Sequence, residues 1–317
     1  MEMEKCSYLD DATLWKVGIN SGLYKHILNF LHTTWGTTNQ SFFPGPQPIS
    51  IERRHFEILK QSSYVVCEKT DGVRHVCICT MFDDKKICVL VTRSQEMYMV
   101  PLNFLRSMFI GTILDGELVK TNDGSWIYMV YDCLMTEGNS CIKQNLMNRL
   151  QLAEKFVNGI MKLKKDPMSF KMKTFWPLHN FNEFQTQKFE YKTDGIILTP
   201  VDDPIRSGTH ETMFKWKPRD SNTIDFLFQR RGPNIWGMYV QEKGKFFYES
   251  EVSNSEVLKG TVDGSIVECQ YVHWENPRWW KPVGMRKDKT HPNNRRTFYN
   301  TMKNISENIQ LVEFSKL

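Results

Sequence analysis

Between Tyr64 and Leu134 the chain runs in short blocks of β-branched and aromatic residues broken by turn formers. Tyr64–Glu68, Val73–Met81, Ile87–Thr92, Thr112–Val119 and Trp126–Asp132 each predict a strand, with turns at Asp83-Asp84 and Asn122-Asp123-Gly124. Then the period changes. Leu146, Leu150, Ala153, Val157 and Ile160 fall on one helical stripe, with Lys164 and Lys165 placed at its C-terminal end. Strands resume at Gly195–Thr199 and Thr212–Lys217. Upstream, the Pro/Gly-rich stretch 42–49 predicts an irregular approach, and Ile51–Lys60 predicts a helix with Ser50 as its N-cap. After Pro218 the texture shortens to strands at Thr223–Phe228, Ile235–Val240, Phe246–Ser250 and Ser265–Tyr271, then a helix near Arg296–Asn308. The pattern predicts mixed strands and helices over residues 1–220 and a small antiparallel β-barrel with a terminal helix over 221–317.

Composition narrows this picture without redirecting it. At 317 residues, 40% hydrophobic and 13% aromatic, the chain can bury two cores and does not read as disordered. A net charge of +5 permits a phosphate-rich partner but is not a strongly basic coat. Met1–Asp11 is acidic and polar rather than a secretory signal, and no apolar run approaches the ~18 residues of a membrane span. The eight cysteines form no CxxC pair and read as small buried hydrophobes of a reducing compartment. The expectation is an intracellular protein with no membrane partner.

Four segments can carry chemistry. Lys69-Thr70-Asp71-Gly72 follows the apolar strand YVVCE, and a lysine at a strand end beside a glycine can serve as a nucleophile once its nitrogen is neutral. In Leu114-Asp115-Gly116-Glu117-Leu118, alternation puts Asp115 and Glu117 on one face, which suits a ribose hydroxyl and a divalent metal. In Phe214-Lys215-Trp216-Lys217 the two lysines share a face, and two ammonium groups side by side ask for an anion such as phosphate. Met285-Arg286-Lys287-Asp288-Lys289 follows Trp279-Trp280-Lys281-Pro282, basic residues among aromatics that fit nucleic acid or phosphate. Taken singly, each has a bland reading as a turn, a solvated face or a charged loop.

In combination, the chain resembles the covalent nucleotidyltransferases, the superfamily of mRNA capping guanylyltransferases and nucleic-acid ligases. The motifs KTDGVR (69–74), DGEL (115–118), YMVYDCL (128–134), TDGIIL (193–198), FKWKP (214–218) and RKDK (286–289) stand in that superfamily's order. The compact capping enzymes of the chlorella-virus type are the nearest resemblance, which also makes a viral source the expectation. The fold implied is α+β, a ligase-like nucleotidyltransferase domain of antiparallel sheets with flanking helices, plus a C-terminal OB-fold barrel. The activity implied is transfer of GMP from GTP to Lys69, then to the 5′-diphosphate end of RNA. The resemblance further implies that Arg74, Glu117 and Arg93 contact the ribose, that Tyr131 stacks on guanine, and that Lys173 reads its O6. Glu117 and Asp194 would lie near a Mg²⁺ or Mn²⁺ ion, and Lys215 and Lys217 would hold the α-phosphate. Asp225, Arg286, Asp288 and Lys289 would act on the departing pyrophosphate.

KTDG occurs twice, at 69–72 and 192–195. The second copy runs straight into Ile196-Ile197-Leu198 and lacks an arginine two residues after its glycine, so Lys192 is read as incidental. Two rivals remain at this stage, an ATP-dependent polynucleotide ligase and a non-catalytic RNA-binding relative. No phosphatase-type Cys/Arg pair, glutamate-rich strand pair or Gly-rich methyl-donor loop is present, so a separate RNA triphosphatase and cap methyltransferase are expected as partners.

Overall fold

The computed structural model describes residues 3–9, 12–101, 104–160, 166–253, 260–272, 279–287 and 289–317. It divides into two compact units, one of residues 1–49, 58–215 and 317, the other of 50–57 and 216–316.

The first unit holds two sheets. The larger has nine strands. The hairpin Met3–Leu9/Ala12–Val17 lies at one edge, followed by Met97–Met99, Lys85–Thr92, Val73–Phe82, Thr112–Lys120, Trp126–Thr136 and Asn139–Ser140, while Ser169–Met172 pairs parallel with Trp126–Thr136. Its central strands are covered on both faces, which explains their nearly continuous apolar sequence. Val76, Ile78, Val89 and Val91 pack with Leu23, Ile27 and Leu31 of the helix Gly22–Trp35. Cys77, Cys79, Leu90 and Leu114 face the opposite way and pack with Ala153, Phe156 and Val157 of the helix Leu146–Asn158. Both helices are capped as their sequences allow, by Ser21 and Asn145 side chains accepting from Tyr24 and Asn148 amides. Lys164 and Lys165, expected to close the second helix, lie outside the described residues. All eight cysteines are free thiols, and Cys77, Cys79 and Cys88 bring their Sγ atoms within 4.8 Å of one another in the core.

The second sheet of this unit has five strands in the order Trp176–Pro177, Tyr64–Thr70, Thr193–Pro200, Gly208–Trp216, Pro46–Ser50. The stretch expected to be irregular thus ends in a strand. Its prolines are tolerated because it is an edge strand, where missing amide donors cost least. That strand consumes Ser50, which therefore caps nothing. The helical start falls at Glu52, which exchanges hydrogen bonds with His55 in a capping box, followed by the helix Phe56–Gln61.

The second unit is built on five antiparallel strands in the order Lys245–Ser253, Ile235–Glu242, Thr223–Gly232, Ile266–Val272, Trp279–Met285. Phe226, Phe228, Met238, Val267 and Trp280 fill its core with Phe298 and Ile305 of the helix Arg295–Glu307. The two outer strands are not paired to each other among the described residues. Residues 50–57 belong here because the terminal segment holds them: Asn304 donates to the Ile51 carbonyl at 2.7 Å, and Arg53 donates to Glu313 at 2.6 Å.

Candidate active site

Lys69 stands near the end of Tyr64–Thr70 in the smaller sheet, and Arg74 stands at the start of Val73–Phe82 in the larger. Asp71-Gly72 is the whole connection between these two strands. A side chain at Gly72 would meet the Leu118 carbonyl oxygen at 2.6 Å and Glu117 Cγ at 2.9 Å, so only glycine permits the crossing this close to Glu117.

Asp194 reaches Lys69 by means of a β-bulge. Gly195 pairs with Lys69 and Thr193 with Thr70, leaving Asp194 as the extra residue between them. Its Oδ1 accepts from Lys69 Nζ at 2.7 Å, and both side chains are about three-quarters buried, at 24% and 23% exposure. Lys192, at the second KTDG, is exposed and contributes its carbonyl oxygen to the Asp71 amide.

Around Lys69 opens a cavity of about 200 Å³, lined by Arg74, Glu117, Tyr131 and Lys173 together with apolar walls from Pro46, Pro48, Phe175, Ile197 and Met213. Five sequence-predicted residues of the first unit, Lys69, Arg74, Glu117, Tyr131 and Lys173, therefore converge, whereas Arg93, Asp194 and Lys215 are not part of this lining. Arg74 grips fully buried Asp115 with both Nε (3.0 Å) and Nη2 (2.5 Å), donates to the Pro46 carbonyl, and stacks 5.1 Å from the Phe43 ring centre. The Tyr131 hydroxyl donates to Asp115 at 2.8 Å, and its ring centre lies 5.9 Å from the Arg74 guanidinium and 6.0 Å from Lys173 Nζ. Burial pushes the Tyr131 phenol well above its usual range; the Arg74 charge pulls the other way, and Asp115 adds to the rise. The phenol therefore stays a neutral donor.

Lys173 is buried. Its Nζ donates to the Glu68 carbonyl at 3.0 Å and Thr70 Oγ1 at 3.1 Å, and lies 3.6 Å from Glu68 Oε1. The Thr70 hydroxyl in turn donates to Glu117, so one hydroxyl ties the lysine to the carboxylate. Glu68 Oε1 also accepts from Tyr191 at 2.9 Å, whereas its Oε2 is buried without a hydrogen-bond partner. Arg93 sits just past the strand Lys85–Thr92, exposed, and donates to Gln47 at 2.9 Å, between cavity-lining Pro46 and Pro48.

Lys215 stands in the strand Gly208–Trp216, and Lys217 lies just past its end. Lys217 falls in the second unit, which resumes at Trp216, whereas Lys215 belongs to the first. Lys215 follows cavity-lining Met213 by two positions and shares its face. In the second unit, Arg286 (3.1 Å) and Lys289 converge on buried Asp225. Asp288 lies outside the described residues.

Sequence reasoning missed several supporting residues. Phe43 and the two prolines were hidden in a segment with no periodicity. Asp132, which lines the cavity, is held by Arg149 through Nε at 2.7 Å and Nη2 at 3.1 Å. Arg149 is 1% exposed and lies on the buried stripe three residues after Leu146, so helical spacing did carry that signal.

A lysine held by a carboxylate beside a cavity that is also lined by an arginine, a second lysine, an aromatic ring and a glutamate suits a covalent nucleotidyltransferase. Residues 19–219 match the family described as mRNA capping enzyme, catalytic domain, and residues 221–314 match mRNA capping enzyme, C-terminal domain. The chain belongs to the mRNA capping enzymes, as the guanylyltransferase. The mRNA-capping enzyme subunit alpha of Schizosaccharomyces pombe is 26% identical, over 88% of this chain and 80% of that protein. The subunit alpha of Yarrowia lipolytica is 28% identical, over 79% of this chain and 75% of that one. The mRNA-capping enzyme of Danio rerio is 26% identical over 86% of this chain but 48% of its own length. Among solved structures, a mycobacterial DNA ligase D complexed with ATP and MES is similar at a TM-score of 0.43, with 15% identity over 72% of this chain and 90% of that one.

Proposed function

We propose that Lys69 is the residue that carries GMP. Its Nζ attacks the α-phosphorus of GTP, the P–O bond to pyrophosphate breaks, and a lysyl-GMP phosphoramidate forms with loss of the nitrogen's proton. Asp194 Oδ1, 2.7 Å away, holds Nζ and is the nearest acceptor for that proton. In the second step the terminal oxygen of a 5′-diphosphate RNA attacks phosphorus, and the Nζ–P bond breaks to restore the lysine. The Lys69–Asp194 pair at the cavity mouth is the observation that carries this reading.

The other residues bind and orient. Arg74 and Glu117 hold the ribose, with Arg93 at the rim; Tyr131 stacks on the base; Lys173 donates to its O6; Lys215 and Lys217 neutralise the α-phosphate. Glu117 and Asp194 supply carboxylate oxygens, the donor set a hard Mg²⁺ or Mn²⁺ ion prefers. Such an ion would neutralise phosphate charge in the transition state. Asp225, Arg286, Asp288 and Lys289 serve the departing pyrophosphate, and the sheet that bears Asp225 is read as an OB-fold barrel. An RNA triphosphatase and a cap methyltransferase act as separate proteins. Incubation with α-labelled GTP and a divalent metal, followed by a denaturing gel, tests the reading. It predicts a labelled band from GTP and little from ATP, and equal labelling by both would turn the assignment toward a ligase.

A further inference from the structure

The outward side of the second unit's sheet carries an arrangement that its fold does not require. Phe226, Phe228, Trp236, Met238 and Val240 point into the core, and Phe247 packs against it. Alternation therefore sends Tyr239, Phe246 and Tyr248 the other way, and Arg231, the extra residue of a β-bulge, lies with them. Phe246 and Tyr248 stand 47% and 46% exposed. Tyr239 and Tyr248 are direct cross-strand partners, with ring centres 5.7 Å apart in an edge-to-face arrangement. The Arg231 guanidinium lies 4.8 Å from the Tyr248 ring centre.

Gly237 makes this layering fit. A Cβ there would come within 2.8 Å of Arg231 Cδ and 2.9 Å of Tyr239 Cε2, so the missing side chain is the space in which the arginine crosses the strand. Arg231 stands at one end of this strand pair, and the turn at the other end adds exposed Lys243 and Lys245, against the acidic Glu242 and Glu251.

Exposed ring faces layered with a guanidinium and flanked by cations match one ligand chemistry well. Bases stack on the rings without regard to sequence, and the cations take the phosphates. A protein partner would also cover exposed rings, but an apolar docking patch has no use for cations at both ends of the strands. We propose that this face, Arg231, Tyr239, Phe246 and Tyr248, binds the single-stranded RNA acceptor behind its 5′ end. The proposal rests on the acceptor being RNA.

The test compares two 5′-diphosphate acceptors on purified lysyl-GMP protein, a trinucleotide and a chain of about 16 nucleotides, which is the long end of what one such sheet covers. In the double variant Tyr248→Ala, Arg231→Ala, the KM for the long acceptor should rise about tenfold. The KM for the trinucleotide and the rate of lysyl-GMP formation should not change, and Tyr248→Phe alone should behave as wild type. An unchanged KM for the long acceptor overturns the proposal, as does equal loss with both acceptors, which would mean a fold defect. If wild-type protein forms no lysyl-GMP, it is the guanylyltransferase reading that fails. The face is then decided by fluorescence anisotropy of the same labelled long RNA on wild type and the double variant, with equal affinity overturning it.

Discussion

The two units organise positive charge differently. In the first, three cations each face a carboxylate of their own: Lys69 with Asp194, Arg74 with Asp115 and Lys173 with Glu68. In the second, Arg286 and Lys289 converge on the single carboxylate of Asp225. One-to-one pairing fixes each cation at its own place, which suits groups that must hold distinct parts of a nucleotide. A shared carboxylate instead gathers two cations at one place, which suits the compact, multiply charged pyrophosphate. The first arrangement predicts effects confined to one role per residue; the second predicts effects on one half-reaction.

The sharpest break in the first arrangement is Lys69→Ala. It should abolish the covalent GMP adduct, while Lys192→Ala keeps it, as read by labelled GTP and peptide mapping. An adduct on Lys192 would overturn the assignment. Next comes Arg286→Ala, expected to slow lysyl-GMP formation by about 100-fold, corresponding to the loss of one transition-state contact of about 3 kcal/mol. Transfer from isolated lysyl-GMP protein to RNA should fall far less. Rapid quench times the two steps separately, and equal losses would dissolve the contrast between the units.

Stability should show the same contrast at smaller size. Asp115→Asn leaves Arg74 with a neutral partner against a carboxylate site that is 0% exposed, and should cost about 2 kcal/mol in urea unfolding. Lys289→Ala, whose side chain is 34% exposed, removes one of two cations from Asp225 and should cost about 0.5 kcal/mol or less. Costs in the reverse order would break the comparison.

Acid should act at the larger of those two sizes. Burial pulls His75, the residue after Arg74, down from 6.5 to about 4. The unfolded chain thus takes up a proton below pH 6.5 that the folded one refuses until about pH 4, so stability falls as pH drops through that window. Between pH 7 and pH 5 the loss from this group is about 2 kcal/mol. His75→Gln should flatten that part of the curve in unfolding midpoints taken across the range.

The strands from Tyr64 to Thr136 were legible because each carries β-branched runs ended by turn residues. The cavity's lysine, arginine, tyrosine and Glu117 were legible because motif spacing places them. What was not legible depended on partners distant in sequence. Asp132 and Arg149 meet across a strand and a helix, and no local pattern in YMVYDCL announces it. Glu68 reads as one more residue of a buried strand until Lys173 and Tyr191 arrive beside it. Ser50 has the chemistry of an N-cap, but edge pairing of Pro46–Ser50 claims it first. The strand Trp279–Met285 was missed because Pro282 interrupts its pattern, although an outer strand tolerates it.

The bulge at Asp194 makes the site depend on how many residues lie between its neighbours, as well as on which residues they are. Removing one codon from the stretch between Lys192 and Ile196 would let the two strands pair without interruption, and the sheet itself could become more regular for it. The surplus carboxylate would then have no place opposite Lys69. A chain shortened in this way would keep its core and its chemistry-bearing lysine while losing the group that holds it. Variation at this point should therefore be tolerated by folding and refused by activity, so a length change here separates selection for catalysis from selection for stability.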